Sequence, residues 1–92
     1  MAGAAAGVGV SQVAAGIITG PGYPRVLLGG ADPLSVIGDT VSSHGVGAHA
    51  AATMAQGSTR VLAGGRPVCR TGDLATCGDA CSTGYLRVII GG

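Results

Sequence analysis

Apolar and polar positions along the chain change places in short bursts, and no stretch repeats with a helical period. No window of helical length places apolar residues at i, i+3, i+4 and i+7 between capping residues. Residues 50–54 supply the only candidate turn of helix. The bursts themselves recur. Gly22-Tyr-Pro-Arg-Val-Leu-Leu-Gly-Gly30, Gly57-Ser-Thr-Arg-Val-Leu-Ala-Gly-Gly65 and Gly84-Tyr-Leu-Arg-Val-Ile-Ile-Gly-Gly92 share the pattern G-x-x-R-V-h-h-G-G, where h is apolar. The β-branched core of each unit reads as a short strand. Gly-Gly reads as a hairpin turn, because both residues accept positive φ.

A second unit follows the first two. It is Ala31-Asp-Pro-Leu-Ser-Val-Ile-Gly-Asp39, then Arg66-Pro-Val-Cys-Arg-Thr-Gly-Asp73. Each carries a Pro and ends in Gly-Asp, and the Asp carboxylate is suited to accept nearby backbone N–H groups and close a turn. The module is therefore strand, Gly-Gly turn, strand, Gly-Asp turn and a variable loop. The chain divides into a degenerate leading module (residues 1–21) and repeated modules at 22–56, 57–83 and 84–92. In the leading segment, Val8 with Val10 and residues 15–19 are the expected strands. The fold class expected is all-β, a single small domain with strands of about four residues. Such repeats need their neighbours to make a core.

Composition sharpens the problem. Nineteen glycines and fifteen alanines accompany only 21 Leu, Ile and Val, with no Phe or Trp, so large core-forming side chains are scarce. Domains this small need a disulfide, a metal or a partner. Five Arg, four Asp and no Lys or Glu leave a net charge of +1 and no basic stripe for nucleic acid. The uncharged segment 1–24 is broken by glycines and lacks a basic start, so neither a signal peptide nor a membrane helix is expected. No phosphate loop is possible without Lys, and no catalytic constellation is evident, so an enzyme is not expected.

The remaining chemistry lies in the loops. His44 falls five residues after Asp39, with His49 beyond it; Cys77 falls four after Asp73, with Cys81 beyond it. If modules stack about an axis, these loops converge at one end. Two imidazoles and two thiolates suit one structural, tetrahedral zinc ion. The alternatives are solvent-exposed histidines and a Cys77–Cys81 disulfide or buried thiol pair. Cys69, flanked by Val68 and Arg70, reads as a small buried hydrophobe. Arg25, Arg60 and Arg87 hold matched positions, which fits either solvated edge residues or repeated contacts with a symmetric partner.

The V-h-h-G-G units, the segment Arg66–Asp73 and the loops Ser-Ser-His44-Gly and Ala-Thr-Cys77-Gly resemble the PAAR-repeat proteins of phage tails and type VI secretion-like injection machines. The resemblance covers residues 16–92 best. It implies a cone of short strands with pseudo-threefold repeats and zinc near the apex. It also implies a base seated on a trimeric β-helical spike, one monomer per trimer. The implied function is a non-enzymatic spike tip that pierces a target membrane, made in the bacterial cytoplasm and delivered out of it. The alternative is a zinc-stabilised adaptor that recruits effectors, and a chain ending at Gly92 is expected to carry no effector domain of its own. His44, His49 and Cys77 match the family's ligands. The family's fourth position, often His, is Asp79 here. Cys81, softer and two residues on, is the expected fourth ligand, with Asp79 as a weaker oxygen alternative.

Overall fold

The computed structural model describes residues 2–91. Its described elements are β1 (Gly3–Ala5), β2 (Gln12–Val13), β3 (Gly16–Gly20), β4 (Tyr23–Leu28), β5 (Asp32–Leu34), β6 (Thr40–Val41), β7 (Leu62–Ala63), β8 (Arg66–Pro67), β9 (Tyr85–Ile90) and one 3-10 turn (Gly47–Ala50). The fold is all-β, as the pattern predicts. The helical turn comes three residues earlier than expected, because Thr53 and Met54 are drawn into bridges with Thr40 and Ala75. Val8 and Val10 lie in a turn, not a strand: Ser11 N–H donates to the Gly7 carbonyl, and the Ser11 hydroxyl accepts from Gly7 N–H.

The Gly-Gly pairs make hairpins. β4 pairs with β5 around Gly29-Gly30 (φ 61° and 75°), and β7 pairs with β8 around Gly64-Gly65 (φ 59° and 80°). The third repeat's β9 pairs with β1, from the start of the leading segment: Gly3 lies opposite Ile90 and Ala4 opposite Ile89. The leading segment and residues 84–91 are thus two halves of one module, closed across the chain's length. The third Gly-Gly pair ends in Gly92, which, like Met1, lies outside the described residues.

Three modules then wind about one pseudo-threefold axis, and backbone hydrogen bonds show it directly. Ala6 N–H donates to Cys69 O, Cys69 N–H to Ser35 O, and Ser35 N–H to Ala6 O, at 2.9–3.0 Å. A second ring runs Val8 to Pro33, Ile37 to Pro67 and Thr71 to Ala4. A third joins Gly9 to Ile18, Gly38 to Met54 and Gly72 to Cys81. Ala6, Ser35 and Cys69 are each fully buried at the centre, where only small side chains fit. The same rotation seats the start of one module on the turn of the next. A Cβ on Gly64 would lie 2.8 Å from the Tyr23 ring, and one on Gly29 would lie 2.9 Å from the Tyr85 ring. Ser58, in the third such place, donates its hydroxyl to Gly91 O. The Tyr85 hydroxyl also donates to Asp32, which pushes its pKa upward.

Two core clusters follow. One gathers Leu28, Leu34, Val36, Ala63, Val68 and Ile90 with Ala5; the other gathers Ala6, Val13, Ile18, Val41, Ala52, Met54, Cys69, Ala75 and Cys81. The Gly-Asp turns work as expected. Asp39 accepts from Val36 N–H, the Ser35 hydroxyl and Gly22 N–H. Asp73 accepts from Arg70 N–H and, in a buried fork, from the Arg70 guanidinium at 3.0 and 3.1 Å.

Burial pushes the Cys69 thiol up to about 12, aided by the charges of Asp73 and Asp39 and opposed by a hydrogen bond with Ser35. An unfolded chain ionises this thiol near 9.0, while the folded one holds it neutral. Its contribution is therefore present below pH 9 and is lost as pH rises toward 12, at about 1.4 kcal/mol per pH unit. Denaturation between pH 8 and 11 is expected to show a shallower decline in Cys69→Ala. That substitution is tolerated because Ala6 already fills the equivalent place. An unchanged slope would remove Cys69 from the alkaline transition.

Candidate metal centre

Each Gly-Asp turn, or its Gly9 counterpart, leads into an inner hairpin, and the loops of these hairpins differ in length. Val13, Val41 and Ala75 are equivalent; they pair with Cys81, Ile18 and Met54 respectively. In the first module the loop is two residues, Ala14 and Ala15, between β2 and β3. In the second, Val41 N–H donates to Ala52 O, and residues 42–51 span the gap. In the third, Ala75 N–H donates to Asp79 O, and residues 76–78 turn between them. His44 N–H donates to His49 O, so the long loop folds back and carries its two imidazoles to the short one. Gly16 makes room: a Cβ there would lie 2.7 Å from His44 Nδ1.

Four donor atoms meet at this point. His44 Nε2 lies 3.2 Å from Asp79 Oδ2 and 3.4 Å from His49 Nδ1. His49 Nδ1 lies 3.0 Å from Asp79 Oδ2. Cys77 Sγ lies 3.6 Å from His44 Nε2 and 3.5 Å from Asp79 Oδ2. The edge of a tetrahedron is 1.63 times its centre-to-vertex length. With metal bonds of about 2.0–2.3 Å, the edges come to about 3.3–3.7 Å. The observed spacings are close to these, so the four residues could hold one metal ion.

The ring orientation fits as well. His44 Nδ1 lies 2.9 Å from the Ser42 carbonyl, which can only accept, so Nδ1 carries a proton and Nε2 is the nitrogen that would offer its lone pair to a bound ion. Side-chain exposure is 2% for His44, 40% for His49 and 33% for Asp79, so one edge of the centre faces solvent. Burial tends to raise the Asp79 carboxyl, but hydrogen bonds from Cys77 and His44 and the charges of His49 and His44 outweigh it and hold it below the ordinary value. An ion held by all four would have no position left for substrate, which is the arrangement of a structural site.

Cys81 stands apart from this group. It is 2% exposed, its thiol donates to Thr83 O at 3.3 Å, and burial raises its pKa. It occupies the position that Ile18 and Met54 hold in the other two modules, so its side chain points to the core. Asp79, two residues earlier, supplies the fourth donor atom instead. All three cysteines are free thiols, which excludes the Cys77–Cys81 disulfide in this structure. A signal for this placement was present in the repeats. Met54 lies three residues before Gly57, and Cys81 lies three before Gly84.

The PAAR motif matches residues 8–83, most of the chain. The chain belongs to the PAAR-motif family. Comparison with curated proteins returns no match. The family is structural, and a PAAR motif points to a spike-tip or adaptor role in a contractile injection system. The His/Cys/Asp cluster lies within the matched residues, on the two loops that follow the Gly-Asp turns. No helix among the described residues of this PAAR chain is long and apolar enough to cross a membrane.

Proposed function

We propose that the protein is the tip of a membrane-piercing spike, seated as one monomer on the blunt end of a trimeric β-helical spike protein. One observation carries the reading. Leu27, Leu62 and Ile89 hold equivalent places in the three modules and are exposed by 47, 59 and 60%, while their neighbours Leu28, Ala63 and Ile90 are buried. Val26 and Val88 add 42 and 37% exposed side chains to the same strands. A threefold-repeated apolar ring on a single chain is the surface that a homotrimer would cover. An adaptor recruiting effectors by the loop 45–48 has less to work with, since Val46 is its one large apolar side chain.

In this reading one structural zinc ion, held by His44, His49, Cys77 and Asp79, clips the long loop to the short one at the piercing end. The ligand set joins two borderline imidazoles to one thiolate and one carboxylate, a combination zinc accepts. The spike would carry the protein out of the bacterial cytoplasm, at the tip of a phage tail or of a secretion apparatus.

Native mass spectrometry of the protein mixed with the spike is expected to give one copy per trimer. The triple variant Leu27→Ser, Leu62→Ser, Ile89→Ser is expected to bind at least about 100-fold more weakly, because apolar anchors dominate such interfaces. Undiminished binding by that variant would remove the ring from the interface. Three copies per trimer would overturn the stoichiometry and the symmetry argument with it.

A further inference from the structure

Arg25, Arg60 and Arg87 are also repeated in all three modules, and the fold treats them alike. In β4, register jumps from Tyr23 opposite Leu34 to Leu27 opposite Pro33, so Arg25 stands in the bulge between. In β9 the jump from Tyr85 to Ile89 places Arg87 in the same bulge. Ser58 N–H donates to Val68 O and Val68 N–H donates to Val61 O, which leaves Arg60 looped out in the third copy. A bulge re-aims its side chain away from the ladder. All three arginines are exposed.

None has an anionic partner among the described residues. The ion pairs among the described residues are His44–Asp79, His49–Asp79 and Arg70–Asp73. Every side-chain carboxylate is committed elsewhere: Asp32 to Tyr85, Asp39 to its turn, Asp73 to Arg70 and Asp79 to the candidate metal centre. There is no Glu. Arg66, also exposed, is different, because its equivalents are Asp32 and Gly3.

We infer that Arg25, Arg60 and Arg87 form a threefold array that reads one acidic side chain, Asp or Glu, on each subunit of the trimeric partner. This rests on the spike-docking reading above and adds the partner's chemistry to it. A guanidinium binds a carboxylate through a planar fork, so three of them fix rotation as well as position. The apolar ring provides adhesion without direction. The arginines, two residues before it on each strand, set the rotational register in which the monomer seats.

The test is calorimetric titration of the full chain with the full-length trimeric β-helical spike of the same injection machine, at low and high salt. Arg25→Gln, Arg60→Gln and Arg87→Gln are each expected to weaken binding by a similar factor, about 3–5-fold, and the triple variant by about 30–100-fold. The wild-type affinity should fall with salt and the triple variant's should not. Arg66→Gln should stay within about 2-fold of wild type. Equal thermal midpoints for all variants separate binding from folding. Undiminished affinity in the triple variant overturns the array and leaves the spike reading intact. Failure of the wild type to bind the spike overturns both. Loss of binding to phosphatidylglycerol vesicles, with spike binding unchanged, assigns the arginines to a membrane surface and also overturns the array.

Discussion

His44→Ala is expected to empty the metal centre and to lower the melting midpoint by roughly 10–20 °C. The estimate follows from two magnitudes. An ion present at 100 times its Kd stabilises the folded state by about 2.7 kcal/mol. Each kcal/mol moves the midpoint of a domain this small by roughly 4–8 °C. Chelation of the wild type should reproduce the shift, and one equivalent of zinc should reverse it; the variant should not respond to either. His44 would be the most firmly held ligand, because its side chain is 2% exposed and its ring is oriented by the Ser42 carbonyl. Metal analysis separates the two candidates for the fourth position. Asp79→Ala should lose or weaken zinc, while Cys81→Ser should keep it and lose about 1–2 kcal/mol as a core defect. Zinc lost from Cys81→Ser and kept in Asp79→Ala would reverse the assignment.

Asp73→Ala should cost about 3–5 kcal/mol, enough to unfold much of a domain this size. Arg70 and Asp73 are 4 and 1% exposed, and the guanidinium also reaches Gly91 O and Gly57 O. Removing the carboxylate strands a positive charge in the interior. The double variant Arg70→Val, Asp73→Ser should be markedly less harmful than Asp73→Ala. The equivalent places in the other modules supply its logic: Val36 stands where Arg70 does, and a Ser at the turn already serves the first module as Ser11. Urea denaturation of the single and double variants makes the comparison. Additive losses would show that the pair is no coupled unit.

Much of this architecture could be read from the residues, and the misses have physical causes. The Gly-Gly and Gly-Asp turns announced themselves because few other residues accept the backbone those turns require. The closure of β1 on β9 did not, because its two halves sit at opposite ends of the chain. The leading half also carries neither the Pro nor the Gly-Asp of its counterparts, and Ser11 stands in for the carboxylate. His44, His49 and Cys77 were expected at one place from their spacing after the turns, and the structure brings their donor atoms together with that of Asp79. The expectation for Cys81 weighed ligand softness before strand direction, and the structure turns its side chain to the core, outside the cluster. Asp79 ends the short hairpin at its open side, whereas Cys81 falls on the inward beat that Ile18 and Met54 share.

The pairing of Gly3 with Ile90 also governs the order of events during synthesis. The central ring of Ala6, Ser35 and Cys69 joins residues already synthesised by then, but β1, which leads into it, lacks its sheet partner until β9, the last of the described strands to leave the ribosome. Until then the nascent chain holds two hairpin units and an unpartnered β1. Long sequence separation between partners slows folding. The third arm is therefore completed only after translation of β9, whereas the other two close locally around their Gly-Gly turns.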